Sequence, residues 1–318
     1  MIDWKDKIRN NDAEIDLSDH TLYVPNWNSN NYVDVYGYKV LLPVPPPDNE
    51  CINYGLDENN QIYRRSYLPP DLEHWDLNKK EIYVEQQFHH RKHGLWYLIK
   101  GKKIYIPGTF HFFLCWWHLE TGDKPFFRMS DLDFFHLWMH VVRSPKIYGL
   151  VIFKCRRVGD TEKSICIVYE YASRVRNTLN AMQDCRKEDD IEKTYARLIY
   201  AHQRMVWFMK PINKGTSDPK EKLEFKYPEE KQTLNKIQKK NLGREEEVIQ
   251  FEYPALNSIV DYYVSTPEAT DGKRHGRYYC DEFGKPKKLN PIEGWRYTKK
   301  TLVDEIKEEI SGKAIYTS

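Results

Sequence analysis

The chain has 318 residues, of which 40% are hydrophobic and 30% are charged, and this composition indicates a globular protein and argues against disorder. Its 49 basic and 47 acidic residues leave a net charge of +2, so the overall charge favours no particular class of partner. No run of 18 apolar residues, no cleavable amino-terminal signal and no CxxC pair among the six cysteines is present, which predicts a protein of a reducing compartment without a membrane segment.

The first half of the chain is predicted to be irregular at first and then helical. Residues 1–100 are rich in Tyr, Asn and Pro, and the cluster VLLPVPPPDNE cannot lie within a helix or a central strand. The later segment SDLDFFHLWMHVVRS has apolar side chains at helical spacing, among them Phe134, Leu137, Trp138 and Val141. It predicts a buried helix with its serine as the N-cap.

Alternating strands and helices follow. The apolar run YGLVIF predicts a strand covered on both faces, and a basic loop separates it from Ile165, Val168, Tyr169 and Ala172 at helical spacing. NTLNAM predicts a second strand. Residues 187–209 predict a long helix with acidic residues at its start, which Pro211 closes.

The last third begins with residues 212–250, which are charged and predict a solvated insertion or a mobile hairpin. We expect order to return at VIQFEY, residues 248–253, and NSIVDYYVS. GRYYCDEFGK predicts a strand that ends in two carboxylates, TKKTLVDEIKEEI a helix, and KAIYTS a final strand. This alternation predicts an α/β fold with a mostly parallel sheet and helices on both faces, which binds ligands at the carboxyl ends of its strands.

The basic loop KCRRVGDTEKS has several features of a phosphate site. Such a site needs a glycine, a helix amino terminus, a cation and a hydroxyl group for Mg²⁺. Gly159 and Thr161 supply the glycine and the hydroxyl group, but Asp160 stands where the lysine usually stands. The cation would therefore come from Lys154 or from Lys163. The loop alone also fits an ordinary basic connection between a strand and a helix.

Two further strand ends carry polar groups. Asp281 and Glu282 follow one strand, an arrangement in which the aspartate holds Mg²⁺ and the glutamate activates the attacking water. Such a pair alone also fits a solvated strand end. Thr317 and Ser318 follow the final strand. The carboxyl ends of parallel strands meet at one edge of a sheet, so we expect these groups to meet there.

In this order, the motifs resemble those of the large terminase subunits of tailed phages. KCRRVGDT resembles the family's deviant Walker A motif, in which the lysine often lies at the front of the loop, and YYCDE resembles its Walker B motif. AIYTS resembles the start of the coupling motif, which links ATP hydrolysis to DNA movement. The aromatic segment YIPGTFHFFLCWWHL is similar to the segment before Walker A in these motors.

This resemblance implies a P-loop NTPase domain of the additional-strand type over residues 101–318, with 212–250 as an insertion, after an amino-terminal region over residues 1–100. The nucleotide-binding loop would consist of Lys154, Cys155, Arg156, Arg157, Val158, Gly159, Asp160, Thr161 and Glu162.

The resemblance also implies a role for each site residue. Lys154 would contact the transferring phosphates, and Arg157 would act on them as a cis arginine. Thr161 and Asp281 would serve the Mg²⁺ ion, and Glu282 would be the catalytic base. Thr317 and Ser318 would belong to the coupling motif. Arg274 and Arg277 are either trans-acting arginines for a neighbouring subunit or solvated loop charges.

The implied ligands are ATP and Mg²⁺, and the implied partners are double-stranded DNA, a portal protein and a small terminase subunit, with no membrane. The chain would be monomeric when isolated and would form a homo-oligomeric ring on a procapsid in the host cytoplasm. The nuclease domain of the family is absent from residues 1–318, so we expect no nuclease activity from them. Two alternatives are a helicase- or translocase-type ATPase outside packaging and a degenerate module that binds nucleotide without hydrolysis.

Histidines are not predicted to form a metal site. FHHRKHG, with His89, His90 and His93, is expected to be a surface loop, because no cysteine or carboxylate lies at ligand spacing. The histidines that lie among aromatic residues are expected to be packed core residues: His111, His118, His136 and His140.

Overall fold

A computed structural model describes residues 24–48, 51–53, 72–99, 101–153, 159–216, 218–226 and 255–318.

The amino-terminal part of the chain contains the elements β1 (Tyr32–Val35), β2 (Tyr38–Leu41), β3 (Ile52–Asn53), α1 (Leu77–His93), β4 (Leu95–Ile99) and β5 (Lys102–Ile106). The prediction of an irregular region is therefore wrong for this part of residues 1–100. The helix α1 has few apolar side chains, so the hydrophobic pattern does not reveal it. Its ends are set locally, by Asp76, which accepts a hydrogen bond from the backbone N–H of Lys79, and by Gly94 with φ 72°.

The histidine-rich segment lies in this helix and not in a surface loop. His89 is buried and its ring lies 4.6 Å from that of His93, and Arg91 between them is buried as well. In the described part of the chain, no three His, Cys, Asp or Glu residues are placed so that they could hold a metal ion. Of the four histidines predicted to be core residues, His111 and His136 are buried, whereas His118 and His140 are half-buried.

The remaining elements build a layered α/β domain. They are α2 (Gly108–Cys115), α3 (Met129–Arg143), β6 (Gly149–Ile152), α4 (Asp160–Ala172), β7 (Leu179–Asp184), α5 (Glu188–Arg204), β8 (Lys222–Phe225), β9 (Ser258–Tyr262), β10 (His275–Asp281), α6 (Pro291–Thr301), β11 (Val303–Asp304), β12 (Glu309–Ile310) and β13 (Lys313–Thr317). Six of these strands form one sheet in the order β6-β13-β10-β7-β9-β8, and only β8 is antiparallel to its neighbour. The predicted mostly parallel sheet with flanking helices is confirmed.

Neighbouring side chains of the central strands enter two different cores, because successive residues of a strand face opposite sides of the sheet. Tyr279 of β10 and Ile315 of β13 pack into the larger core, together with buried side chains of α3, α4 and α5. Tyr278 and Tyr316 pack into the smaller core, against which Trp295 of α6 packs. The sheet is therefore covered on both faces, and the carboxyl ends of its parallel strands lie along one edge.

The strand before the basic loop lies at the border of the sheet. In the described residues β6 pairs with β13 alone, and Val151 and Phe153 are 61% and 81% exposed. The prediction that both faces of YGLVIF are covered is therefore wrong. A short apolar run is typical of a buried strand, but it does not by itself report the number of neighbouring strands.

Several predicted boundaries need correction. The helix α3 begins at Met129 and Arg128 occupies the N-cap position, so Ser130 is not the cap. The helix α5 ends at Arg204, before Pro211.

The helix predicted over residues 298–310 is also wrong. Asn290 accepts a hydrogen bond from the backbone N–H of Ile292 and Pro291 occupies the first turn, so α6 starts earlier and ends at Thr301. The residues that follow form the antiparallel pair β11 and β12.

The charged insertion is ordered at its start. Within residues 212–250, β8 forms the antiparallel edge of the sheet, and its Leu223 and Phe225 are buried. The prediction of a solvated segment is wrong there, because two apolar side chains in alternation are enough to attach a strand to the core. Residues 227–250 and the segment VIQFEY lie outside the described residues. None of the described helices is both long enough and apolar enough to cross a bilayer.

We expect acid to destabilise the fold through His275. This side chain is 2% exposed, and its ring nitrogens contact the hydroxyl groups of Tyr263 at 3.0 Å and Thr301 at 2.8 Å. Burial lowers the pKa of His275 to about 3, below the value of about 6.5 in an unfolded chain. The unfolded chain therefore binds a proton that the folded chain does not, and the stability present above pH 6.5 is lost as the pH falls toward 3.

The expected loss from this one group is about 1.4 kcal/mol per pH unit below pH 6.5. Urea unfolding at a series of pH values measures it. His275→Gln should make the free energy of unfolding less dependent on pH, whereas His74→Gln, at an exposed position, should leave the dependence unchanged. Equal pH dependence in all three proteins would contradict the prediction.

Candidate active site

The glycine of the basic loop has a left-handed backbone conformation. Gly159 has φ 81° and precedes the first residue of α4, Asp160. This left-handed conformation strains residues with a side chain, so glycine is favoured there. A Cβ atom at Gly159 would also lie 3.1 Å from the guanidinium group of Arg128. The predicted loop residues Lys154, Cys155, Arg156, Arg157 and Val158 lie outside the described residues.

The carboxylate of Asp281 is the point at which three elements meet. Thr161 Oγ1, in the first turn of α4, donates a hydrogen bond to Asp281 Oδ2 at 3.2 Å. Thr317 Oγ1, at the end of β13, donates to Asp281 Oδ1 at 2.6 Å and lies 3.1 Å from the hydroxyl group of Tyr279. The two residues predicted to serve Mg²⁺ and one residue of the predicted coupling motif are therefore in direct contact.

Glu282 is held beside this aspartate in an unusual backbone conformation. Its φ is 55°, which is uncommon for a residue other than glycine and costs about 1–3 kcal/mol. Its backbone N–H donates to Asp281 Oδ1 at 2.8 Å. Among the described residues its Oε2 atom is buried without a hydrogen-bond partner, and the Nζ atom of Lys285 lies 3.7 Å away as an ion-pair partner. Strained residues with an unsatisfied buried acceptor are typical of functional sites.

Lys163 lies in a buried ion-pair network. Its Nζ atom lies 2.8 Å from Asp131 Oδ1 and 2.6 Å from Asp160 Oδ1, and the side chain is 3% exposed. Arg128 pairs with the other oxygen of Asp131 at 2.8 Å. Because residues two apart on a helix face different directions, Lys163 does not share the face of Thr161. The sequence did not decide whether Lys154 or Lys163 would contact a phosphate. In the structure Lys163 instead forms ion pairs with Asp131 and Asp160.

The side chain of Glu162 is directed to the protein interior. Trp117 Nε1 donates to Glu162 Oε2 at 3.2 Å, and Arg197 lies 3.8 Å from its other oxygen. Burial raises the pKa of this carboxyl group. Ser318 lies at the sheet edge, where its backbone N–H donates to the carbonyl oxygen of Ile152 in β6 at 3.1 Å. It extends the contact between β13 and the strand that precedes the loop.

The two arginines proposed as trans-acting residues lie at the other end of β10. Arg277 and Arg274 precede Asp281 by four and seven residues, which is about 13 Å and 23 Å along an extended chain. Arg277 is buried, with its guanidinium group 3.6 Å from the ring centre of Tyr171, so we no longer assign it a role toward a neighbouring subunit. Arg274 is exposed and pairs with Asp304 at 2.9 Å.

Two residues beside Asp281 were missed in the sequence. Asp184 ends β7, the strand adjacent to β10, directly opposite Asp281. Its Oδ1 atom accepts the backbone N–H of Arg186 at 2.6 Å, and burial raises the pKa of Asp184. Burial lowers the pKa of Arg186, but the nearby carboxylates of Asp184 and Glu282 outweigh this effect and raise it. The rule that drew attention to Asp281, a carboxylate directly after a buried strand, would also have found Asp184.

No protein-family model matches the chain, and no curated protein matches its sequence.

Proposed function

We propose that this chain is a Mg²⁺-dependent ATPase of the P-loop type and serves as the motor of a terminase large subunit, which moves double-stranded DNA into a procapsid. One observation carries the proposal. The carboxylate of Asp281 receives hydrogen bonds from Thr161, at the helix start after the basic loop, and from Thr317, at the end of the final strand. Glu282, whose buried Oε2 atom has no hydrogen-bond partner among the described residues, lies next to it.

The order of the strands supports the additional-strand type. The strand that leads into the basic loop is β6, and the strand that ends in the acidic pair is β10. One strand, β13, lies between them and pairs with both. That intervening strand carries Thr317, so the predicted coupling residue lies between the loop and the acidic pair.

The residues fit a Mg²⁺ ion that arrives with its nucleotide. Mg²⁺ prefers oxygen ligands, and in ATPases one or two protein oxygens hold it together with the substrate phosphates. Thr161 and Asp281 supply such oxygens, while the described residues offer no larger cluster that would hold a metal by itself. A bound Mg²⁺ ion would neutralise charge on the terminal phosphates. The amino terminus of α4 adds the partial positive charge and the backbone N–H groups that favour phosphate.

Glu282 is the best-placed base. A carboxylate oxygen that is buried and has no hydrogen-bond partner can accept a proton from the attacking water and orient that water. The hydrogen bond from its own backbone N–H to Asp281 holds the two carboxylates in a fixed relation. A change at Asp281 would reach β13 through the hydroxyl group of Thr317, which offers a route from nucleotide hydrolysis to movement of the sheet edge.

The DNA part of the proposal comes from the sequence resemblance. It includes the portal protein, the small subunit, a homo-oligomeric ring and a location on the procapsid in the host cytoplasm. Contacts to the phosphates of duplex DNA would be insensitive to base sequence and weakened by salt.

The proposed ATPase activity can be tested by measuring phosphate release from ATP by the Thr161→Val variant. The substitution removes the hydroxyl group that contacts Asp281, so we expect the Mg²⁺ concentration needed for half-maximal turnover to rise at least about 10-fold. The matched control is Thr121→Val, at an exposed position. Turnover that persists in EDTA, or equal Mg²⁺ dependence in both variants, would refute the proposed role of the site.

A further inference from the structure

A second charged site lies at the other end of the same helix and strand. A cavity of about 210 Å³ opens between α1, α3, α4 and the amino end of β10. Among the described residues, its charged lining consists of the ammonium group of Lys92, the carboxylate of Glu170 and four guanidinium groups, those of Arg91, Arg143, Arg174 and Arg277. His93 also lines the cavity, and burial lowers its pKa to about 4, so its ring is neutral at pH 7.

The carboxylate of Glu170 is already engaged by two of the arginines. Arg91 Nε lies 3.1 Å and Arg174 Nε lies 2.6 Å from Glu170 Oε1. Arg91 also donates to the backbone carbonyl oxygen of Glu170 at 2.7 Å and to Ser173 Oγ at 2.5 Å. One negative charge thus lies in direct contact with two positive charges, so the described lining carries an excess of positive charge.

Arg277 and Arg143 have no carboxylate within ion-pair distance among the residues that the structure describes. Arg277 is 5% exposed, and its Nη1 atom donates to the backbone carbonyl oxygen of Gly276 at 2.7 Å. Arg143, at the cavity rim, lies 3.5 Å from the ring centre of Trp27. Burial lowers the pKa of Arg277 to about 10, which still leaves it charged at neutral pH. Buried charges are normally balanced by an ion partner.

The start of α2 also faces this cavity. Pro107, Gly108 and Thr109 belong to the lining, and Pro107 is the N-cap of a helix that no side chain caps. The first N–H groups of a helix have no partner within the helix and carry partial positive charge. The backbone at the start of α2 and the arginine side chains therefore both favour a negatively charged ligand.

We propose that this cavity binds a small phosphate-type oxyanion, either inorganic phosphate or a small phosphate monoester. Arginine pairs with phosphate oxygens through two parallel hydrogen bonds, and Arg277 and Arg143 provide the charge for that contact. A phosphate of duplex DNA is excluded from the inner part, because Arg277 is buried. Phe135 and Trp138 also line the cavity and would pack against the organic group of a monoester.

This site is distinct from the candidate active site. Glu170 follows Thr161 on α4 by nine residues, about 13 Å along the helix axis. Arg277 precedes Asp281 by four residues on β10, again about 13 Å. The proposal does not depend on ATP hydrolysis, so binding at the cavity and turnover at the active site can be tested separately.

Isothermal titration with inorganic phosphate and with phenyl phosphate, at constant ionic strength, tests the proposal. We expect both Arg277→Gln and Arg143→Gln to weaken binding about 10-fold or more, since each substitution removes a charge-assisted hydrogen bond to the anion. Arg296→Gln, at an exposed position on α6, should bind like the original protein. Tighter binding of phenyl phosphate than of inorganic phosphate would identify a monoester as the ligand class, and the reverse would identify phosphate.

Thr161→Val separates the cavity from the active site, because it should leave phosphate binding in the cavity unchanged. Binding that disappears in Thr161→Val and persists in both arginine variants would overturn the proposal. So would an absence of binding at millimolar phosphate and phenyl phosphate in the original protein. If Arg277→Gln fails to fold, as judged by circular dichroism, the exposed Arg143 decides the question.

Discussion

Glu282→Gln is expected to lower ATP hydrolysis by about 100- to 10,000-fold, the usual contribution of a general base, while the nucleotide still binds. The amide has nearly the shape of the carboxylate but cannot accept a proton from water. The change leaves the backbone N–H contact to Asp281 in place, so the geometry of the acidic pair should persist. Phosphate release reports the chemistry, and a fluorescent ATP analogue reports binding.

The matched control is Glu293→Gln, which makes the same chemical change at an exposed position in the first turn of α6. It should hydrolyse ATP like the original protein. Hydrolysis that survives in Glu282→Gln would exclude this residue as the base. Loss of nucleotide binding together with hydrolysis would instead show that Glu282 supports the structure of the site.

Lys163→Met is expected to destabilise the fold by about 3–5 kcal/mol, the usual cost of removing one partner from a buried ion pair. The substitution keeps much of the apolar volume but removes the cation between two carboxylates. Asp131 would retain Arg128 as a partner, whereas Asp160 would lose the only ion-pair partner that the described residues offer it. The free energy of urea unfolding measures the effect.

The control here is Lys193→Met on α5. Its ammonium group lies 3.4 Å from Asp190 and its side chain is 73% exposed, so we expect a change below about 1 kcal/mol. Asp160→Asn introduced into Lys163→Met should restore part of the stability, because it removes the unpaired charge. If Lys163→Met and Lys193→Met have the same free energy of unfolding, the buried ion pairs of Lys163 do not stabilise the fold as predicted. If the Lys163→Met protein folds but binds no nucleotide, Lys163 would again be a candidate for contacting the phosphates of the nucleotide.

The central strands β10 and β13 were predictable because their sequences carry a local signal of burial, whereas the same kind of signal was misleading for the border strand β6. The segments YYCD and KAIYT consist largely of apolar and aromatic residues, and successive side chains face the two different cores. Such a nearly continuous apolar run is typical of a strand that is buried on both faces. The helix α4 was predictable from the spacing of Ile165, Val168, Tyr169 and Ala172, all of which are buried. Local patterns failed where an element depends on its ends, as in α1 and α6, whose capping residues were overlooked.

The candidate site was partly predictable for a topological reason. Carboxyl ends of parallel strands share one edge, so the sequence could place Thr161, Asp281 and Thr317 together without any knowledge of distances. It could not choose between the two lysines, because the partners of Lys163 are a neighbour on its own helix and Asp131 on another helix. It also could not show that Arg277 turns inward, since loop and strand arginines look alike in a sequence.

The sequence by itself determined the alternation of strands and helices, the parallel sheet and the edge at which the polar strand ends meet. Periodicity is a local property of the chain, and a helix between two strands allows them to run parallel. Only the tertiary structure decided which strand lies at the border, which charged side chains are buried and where their partners are. These are pairings between residues far apart in the chain, such as Glu170 with Arg91, and the desolvation of each charge depends on everything packed around it.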